Sequence, residues 1–132
     1  MQEHRLKLAV TLDRLAVCRL EAGAAIPAWA TAGRFFSITK TADELSIVCA
    51  EESVPSEVRC ERGWRSLKVE GPLDFSLTGV MLSLAAPLAR AGVSFFAIST
   101  YDTDYLLVKE GDLERAVLAL SDSGHLVENK LT

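Results

Sequence analysis

Three features of the chain predict an α+β fold built from two copies of a split βαβ unit. Two phenylalanine-led segments sixty residues apart read alike without a gap. They are Phe35-Phe36-Ser37-Ile38-Thr39 with Leu45-Ser46-Ile47-Val48, and Phe95-Phe96-Ala97-Ile98-Ser99 with Tyr105-Leu106-Leu107-Val108. From Trp64 onward the apolar pattern alternates between strand and helix spacing in the order strand, helix, strand, strand, helix, strand. The first half repeats that order from Leu15 with a shorter first helix: Leu15 to Phe35 is 20 residues, where Leu67 to Phe95 is 28. A unit of this order lays its helices on one face of an antiparallel sheet.

Leu6–Leu12 and Leu15–Leu20 are apolar-rich strands, and Asp13-Arg14 between them predicts a tight hairpin. Gly23 and Pro27 bracket a small-residue stretch, 22–32, that suits one short helix, because Pro27 fits a first turn. Strands over 34–40 and 44–50 follow, joined by a polar turn. Residues 53–63 contain Pro55 and few apolar anchors, so a single helical turn and a loop are expected there. Trp64–Glu70 alternates as a strand and Gly71-Pro72 breaks it. Ser76 or Thr78 is placed to cap a helix through Val80, Leu84 and Leu88, with Gly92 at its end. Pro87 removes one backbone bond from that helix and predicts a kink near Ser83. Strands over 93–100 and 104–109 come next. Asp112 then starts a helix, Ser123-Gly124 ends it, and residues 126–128 form a last strand. The subdomain boundary falls at 63/64, dividing the chain into 1–63 and 64–132.

Adjacent strand positions face opposite sides of a sheet. One phenylalanine of each pair, Phe35-Phe36 and Phe95-Phe96, is thus expected against the helices and its neighbour on the other face. A two-fold homodimer is the simplest cover for that second face.

Composition excludes several functions. The 132 residues are 49% hydrophobic and 24% charged, the balance of an ordinary soluble domain. A net charge of -4 disfavours nucleic acid, which selects a basic surface. No run approaches the roughly 18 apolar residues of a membrane span, and the start lacks a signal-like core. A cytoplasmic protein is expected. Cys18, Cys49 and Cys60 are an odd set without CxxC spacing, which suggests neither a disulfide framework nor a zinc site. His4 and His125 have no spaced metal partner. Ser76 has no Gly-x-Ser-x-Gly setting and no phosphate-loop motif is present. Catalytic residues, metal and cofactor are therefore all expected to be absent.

The run from Val69 to Gly79 (Val-Glu-Gly-Pro-Leu-Asp-Phe-Ser-Leu-Thr-Gly), then Ala91-Gly92-Val93-Ser94, then Ala97 to Val108, resembles an ACT domain. The stretch Phe35-Phe36-Ser37-Ile38-Thr39-Lys40-Thr41 is similar to the degenerate N-terminal copy of small bacterial tandem ACT proteins. Those are similar in turn to the regulatory part of aspartate kinase and to the arginine sensor CASTOR. The resemblance covers about Leu6 to Glu128. It implies two ferredoxin-like βαββαβ subdomains and a non-catalytic regulatory module that binds an amino acid near a subdomain or subunit interface. It also implies a ligand site at Asp74, Phe75, Ser76, Leu77, Thr78 and Gly79, with Ile98, Ser99, Thr100, Asp102 and Asp104.

The chemistry of these residues suits a zwitterion. The first N–H groups of a helix have no intrahelical partner and lie at the positive end of its dipole, where a carboxylate binds. Asp74, Asp102 and Asp104 are suited to an ammonium or guanidinium. The same residues also suit plain structural roles. Asp74 and Asp102 fit turns, and Ser76 and Thr78 fit helix caps. The alternative function is a structural adaptor that docks a protein partner without a small ligand.

Overall fold

The computed structural model describes residues 5–70 and 78–129. Its seven strands are β1 (Lys7–Leu20), β2 (Ser37–Lys40), β3 (Leu45–Ala50), β4 (Cys60–Val69), β5 (Phe95–Ser99), β6 (Asp104–Lys109) and β7 (Leu126–Asn129). Its α-helices are α1 (Val80–Arg90) and α2 (Leu113–Asp122), and 3-10 turns occupy Ala28–Thr31, Glu51–Ser53 and Glu110–Asp112. The chain divides into two compact units, one of Asp13–Trp64 and one of Met1–Leu12 with Arg65–Thr132.

Asp13-Arg14 does not turn the chain. β1 continues through it as a strand of 14 residues. A two-residue hairpin needs positive φ at its centre, which Asn and Gly supply readily, and no non-glycine residue takes positive φ among the described residues. Asp13 instead holds Arg34, with Nε to Oδ1 at 3.1 Å.

In the unit of Met1–Leu12 and Arg65–Thr132 the strand order is β7-β1-β4-β6-β5. β5 and β6 pair antiparallel, whereas β1 and β7 run parallel, with Lys7 opposite Leu126 and Val10 opposite Asn129. An antiparallel sheet drawn from residues 64–132 alone omits β1. The N-terminal strand in fact lies between β4 and β7, held by Glu70 N–H to Lys7 O on one side and Leu126 N–H to Leu6 O on the other.

The two-residue repeat of strands places Leu8 and Val10, Leu67 and Val69, and Leu106 and Val108 on one sheet face. Leu84 and Leu88 of α1, and Leu113, Ala116 and Leu120 of α2, close over them. Phe95 packs against this core, while its neighbour Phe96 is half-buried. Burying each leucine stabilises the unit by roughly 1.5–3 kcal/mol.

α1 continues through Pro87. Proline has no N–H, so the carbonyl of Ser83 loses its intrahelical donor. His125, buried at 5% exposure, supplies the replacement: its Nε2 lies 2.9 Å from Ser83 O, and its Nδ1 accepts the Leu6 N–H at 3.1 Å. Because Nδ1 is the acceptor, the ring is the neutral tautomer with its proton on Nε2. One imidazole thereby repairs the helix defect and anchors the chain just ahead of β1.

In the unit of Asp13–Trp64, β2 pairs β3 and β3 pairs β1, both antiparallel, and β4 lies on the other side of β1. Helices do not cover this sheet. The expected helix over 22–32 is only the 3-10 turn Ala28–Thr31, with Pro27 at its N-cap. An isolated stretch this short, carrying a proline, cannot repay the cost of helix nucleation. The core is correspondingly small: Ala16, Cys18, Ala30, Leu45, Ile47, Cys49 and Val54. β4 also begins earlier than the expected strand at Trp64. Gly63 takes φ 82, and its N–H bonds Glu51 Oε1 at 2.8 Å. Arg62 donates to the carbonyls of Glu51, Val54 and Pro55. Glu51 is thus a structural acceptor rather than only solvated surface. Burial, reinforced by the neighbouring Cys49 and Cys60, pushes the Cys18 thiol up to about 12 from 9.0, and burial also raises Cys49.

Two outcomes are expected. Replacing His125 by Phe leaves the Leu6 donor and the Ser83 acceptor unpaired and costs about 2–4 kcal/mol. The cost shrinks in a Pro87→Ala background, where residue 87 regains the N–H that Ser83 O needs, and a double-mutant cycle by urea denaturation reads the coupling. For Cys18, the unfolded thiol ionises above its ordinary 9.0 while the folded one stays protonated up to about 12. Stability contributed by this group is therefore full below pH 9.0 and falls as pH rises toward 12. Urea midpoints measured from pH 8 to pH 10.5 should drop, and the drop should be smaller in Cys18→Ala.

Candidate functional site

Asp74, Phe75, Ser76 and Leu77 lie outside the described residues. The remaining expected site residues fall on two segments, the start of α1 and the β5–β6 hairpin. Gly79, not Ser76 or Thr78, is the N-cap of α1, at φ 79 and with no side-chain cap hydrogen bond. The backbone there enters the helix from the left-handed region, which glycine adopts without a steric penalty. Thr78 and Gly79 are both exposed, and Val80 beneath them is buried in the core. Gly79 O accepts the Ser83 N–H at 2.9 Å and opens the helical ladder.

The hairpin is built from hydroxyl chemistry. Ser99 and Asp104 are direct partners in the ladder, and Ser99 Oγ donates to Asp104 Oδ1. Thr100 closes the turn: its N–H donates to Thr103 O at 2.8 Å, and its Oγ1 accepts the Thr103 N–H at 3.2 Å. Thr103 is buried, and its Oγ1 donates to Val69 O at 2.6 Å. That bond fixes the turn against the last residue of β4, directly before the segment that leads to α1. Asp102 and Tyr101 sit exposed at the tip, and Ile98 is buried under it.

Ser99 and Asp104 are therefore brought together, and Asp104 has one oxygen already engaged. Asp102 stands in solvent. Thr103, the residue that positions this hairpin, is not among the expected site residues. Its signal was the Thr-x-x-Thr spacing of Thr100 and Thr103, in which a hydroxyl closes a four-residue turn. The other hairpin contains the same device. Thr41 N–H donates to Glu44 O at 3.0 Å and Thr41 Oγ1 accepts the Glu44 N–H at 3.1 Å. Lys40 opposite Leu45 then corresponds to Ser99 opposite Asp104, a separation of 59 rather than sixty. Side-chain similarity aligned the phenylalanines; turn chemistry sets the registers one residue apart.

At the other end of this sheet, Lys7 Nζ pairs Glu128 Oε1 at 2.8 Å, and that contact, with Glu70 nearby, raises the lysine above its ordinary 10.5. Among the described residues no group of three or more His, Cys, Asp or Glu side chains is placed to hold a metal ion. No described helix is long and apolar enough to cross a membrane.

Thr103→Val should remove the bond to Val69 O and cost about 1–3 kcal/mol, read as a lower urea midpoint. Gly79→Ala should cost about 1–2 kcal/mol, because a Cβ is strained at this φ. A midpoint unchanged in Gly79→Ala would show that the helix start can rebuild without positive φ.

Comparison with known proteins adds three findings. A family model for the ACT domain matches residues 59–122, and a model for an N-terminal domain matches residues 13–57. Cytosolic arginine sensor for mTORC1 subunit 1 is 34% identical over 99 residues in Bos taurus and 33% in Homo sapiens. Each match covers 67% of this chain and 30% of the relative, so the chain spans about a third of the length of those sensors. The crystal structure of protein Atu0741 from Agobacterium tumefaciens is 43% identical, with a TM-score of 0.92, covering 98% of this chain and 96% of that one. The ligand-free regulatory subunit of aspartate kinase from Thermus thermophilus shares the fold at 10% identity, with a TM-score of 0.62 and coverage of 88% and 96%.

Proposed function

We propose, for a chain that belongs to the ACT-domain family, a non-catalytic regulatory module that binds a small amino acid and reports its level. The observation that carries this reading is the start of α1. An exposed glycine opens the helix and makes no side-chain cap hydrogen bond, and the first N–H groups of a helix, at the positive end of its dipole, suit a carboxylate. The proposed site comprises Asp74, Phe75, Ser76, Leu77, Thr78 and Gly79 on one side. Ile98, Ser99, Thr100, Asp102 and Asp104 complete it on the other. Asp102 would take the ligand's cationic group, and Asp104, oriented by Ser99, would assist.

The relatives named as arginine sensors support an amino acid as the ligand class and a cytosolic setting. The proposed assembly is a homodimer. Phe36, at 44% exposure, is the large apolar side chain that most needs cover in the unit of Asp13–Trp64, besides Ile26.

Thermal melting of the whole chain against each of the twenty amino acids tests the reading. A true ligand at a hundred times its Kd should stabilise by about 2.7 kcal/mol, roughly 10 °C in Tm. Asp102→Asn should shrink that shift while leaving the unliganded Tm within a degree or so, because the residue is solvent-exposed. No shift with any amino acid would sink the sensor reading. Sedimentation at micromolar concentration checks the dimer separately.

A further inference from the structure

Cys18, Cys49 and Cys60 are far apart in the sequence, yet the sheet of Asp13–Trp64 gathers them on one face. In the β1–β3 ladder Ala16 lies opposite Cys49 and Cys18 opposite Ile47, so Cys18 and Cys49 are diagonal neighbours. On the other side of β1, the Arg19 N–H donates to Arg59 O at 3.0 Å, immediately before β4 begins at Cys60. That bond sets Cys18 directly across from Cys60 in the narrow kind of antiparallel pair, where side chains approach closest. Cys18 and Cys49 are buried in the core of this unit and Cys60 packs against it. All three are free thiols.

We propose that Cys18 and Cys60 are a redox pair, a covalent modification site that cross-links β1 to β4 when the chain meets a hydroperoxide. Geometry selects this pair over the alternative. Narrow antiparallel partners have Cα atoms about 4.5 Å apart, inside the roughly 4.4–6.8 Å range that disulfides span. Diagonal neighbours such as Cys18 and Cys49 are about 7–8 Å apart, beyond that range.

Exposure assigns the order of events. Cys60 is half-buried, whereas Cys18 and Cys49 are 2% and 0% exposed, so the oxidant reaches Cys60 first. The Cys60 sulfur attacks the peroxide oxygen, the O–O bond breaks, and Cys60 becomes a sulfenic acid as an alcohol or water departs. Cys18 then attacks the Cys60 sulfur. The S–O bond breaks, and the hydroxyl leaves as water with the Cys18 proton. Two thiols are oxidised by two electrons and one peroxide is reduced. Burial holds the Cys18 thiol protonated, so its proton passes to the departing hydroxyl as the S–S bond forms, and the attack depends on the closeness of the two sulfurs.

Hydrogen peroxide added to the reduced, native, full chain tests this, read by intact mass and non-reducing peptide mapping. The expected result is a loss of two hydrogens, a Cys18–Cys60 linked peptide, and a raised Tm that returns to its starting value with dithiothreitol. Cys49→Ser should give the same link. Cys60→Ser, changed at the less buried position, should abolish it and leave Cys18 unmodified. A Cys18–Cys49 link would overturn the assignment. So would Cys60 advancing alone to sulfinic acid, a disulfide between two chains through Cys60, or no reaction in the native state.

Discussion

The N-terminal half of β1 is the constraint on which the unit of Arg65–Thr132 depends. It lies between β4 and β7 and satisfies backbone groups of both, and its Leu8 and Val10 complete the apolar face beneath α1 and α2. Without it, two strands would present unpaired edges, and a buried backbone group without a partner is costly. His125 secures the arrangement with two hydrogen bonds from one ring. The defect left by Pro87 in α1 is used as an acceptor, so a residue that weakens the helix becomes the point where the helix is tied to the start of β1.

The two units cover similar hairpins in different ways. In one, α1 and α2 press leucines onto the sheet. In the other, two 3-10 turns and small side chains do the work, and Gly33 leaves no room for more: a Cβ there would stand 3.1 Å from Ala50 Cβ. A small core in which alanine and cysteine outnumber Leu45, Ile47 and Val54 contributes less burial energy per residue. Backbone-directed hydrogen bonds offset part of the difference, with Arg62 on three carbonyls and Glu51 on the Gly63 N–H. The same compactness brings three thiols onto neighbouring strands.

The hairpin and the start of α1 have different physical characters, which suits a sensing role. Thr100 and Thr103 hold the turn in place through buried and half-buried hydroxyl bonds, so Asp102 and Asp104 are carried by a pre-shaped element. The start of α1 is an exposed glycine that makes no side-chain cap hydrogen bond. In the proposed reading, the acidic turn and the helix start take opposite ends of one zwitterion, and a pre-shaped turn lowers the ordering cost of binding. Such a receptor regulates something only if binding favours one arrangement of the molecule over another.

Local pattern was enough to determine the α+β class, the two hairpins and both helices of Arg65–Thr132, because strand alternation, helix spacing and glycine punctuation are written within a few residues of each other; the ACT family was legible by resemblance. The same resemblance singled out Ser99, Asp104 and Gly79, which the proposed site uses. Tertiary structure alone decided the continuation of β1 through Asp13-Arg14, its insertion beside β7, the role of His125, and the meeting of Cys18 with Cys60. Each of these is a pairing between segments that are distant in sequence. Its partner is selected by which backbone edges and orphaned carbonyls remain unsatisfied once the local elements have formed, and no local pattern records that.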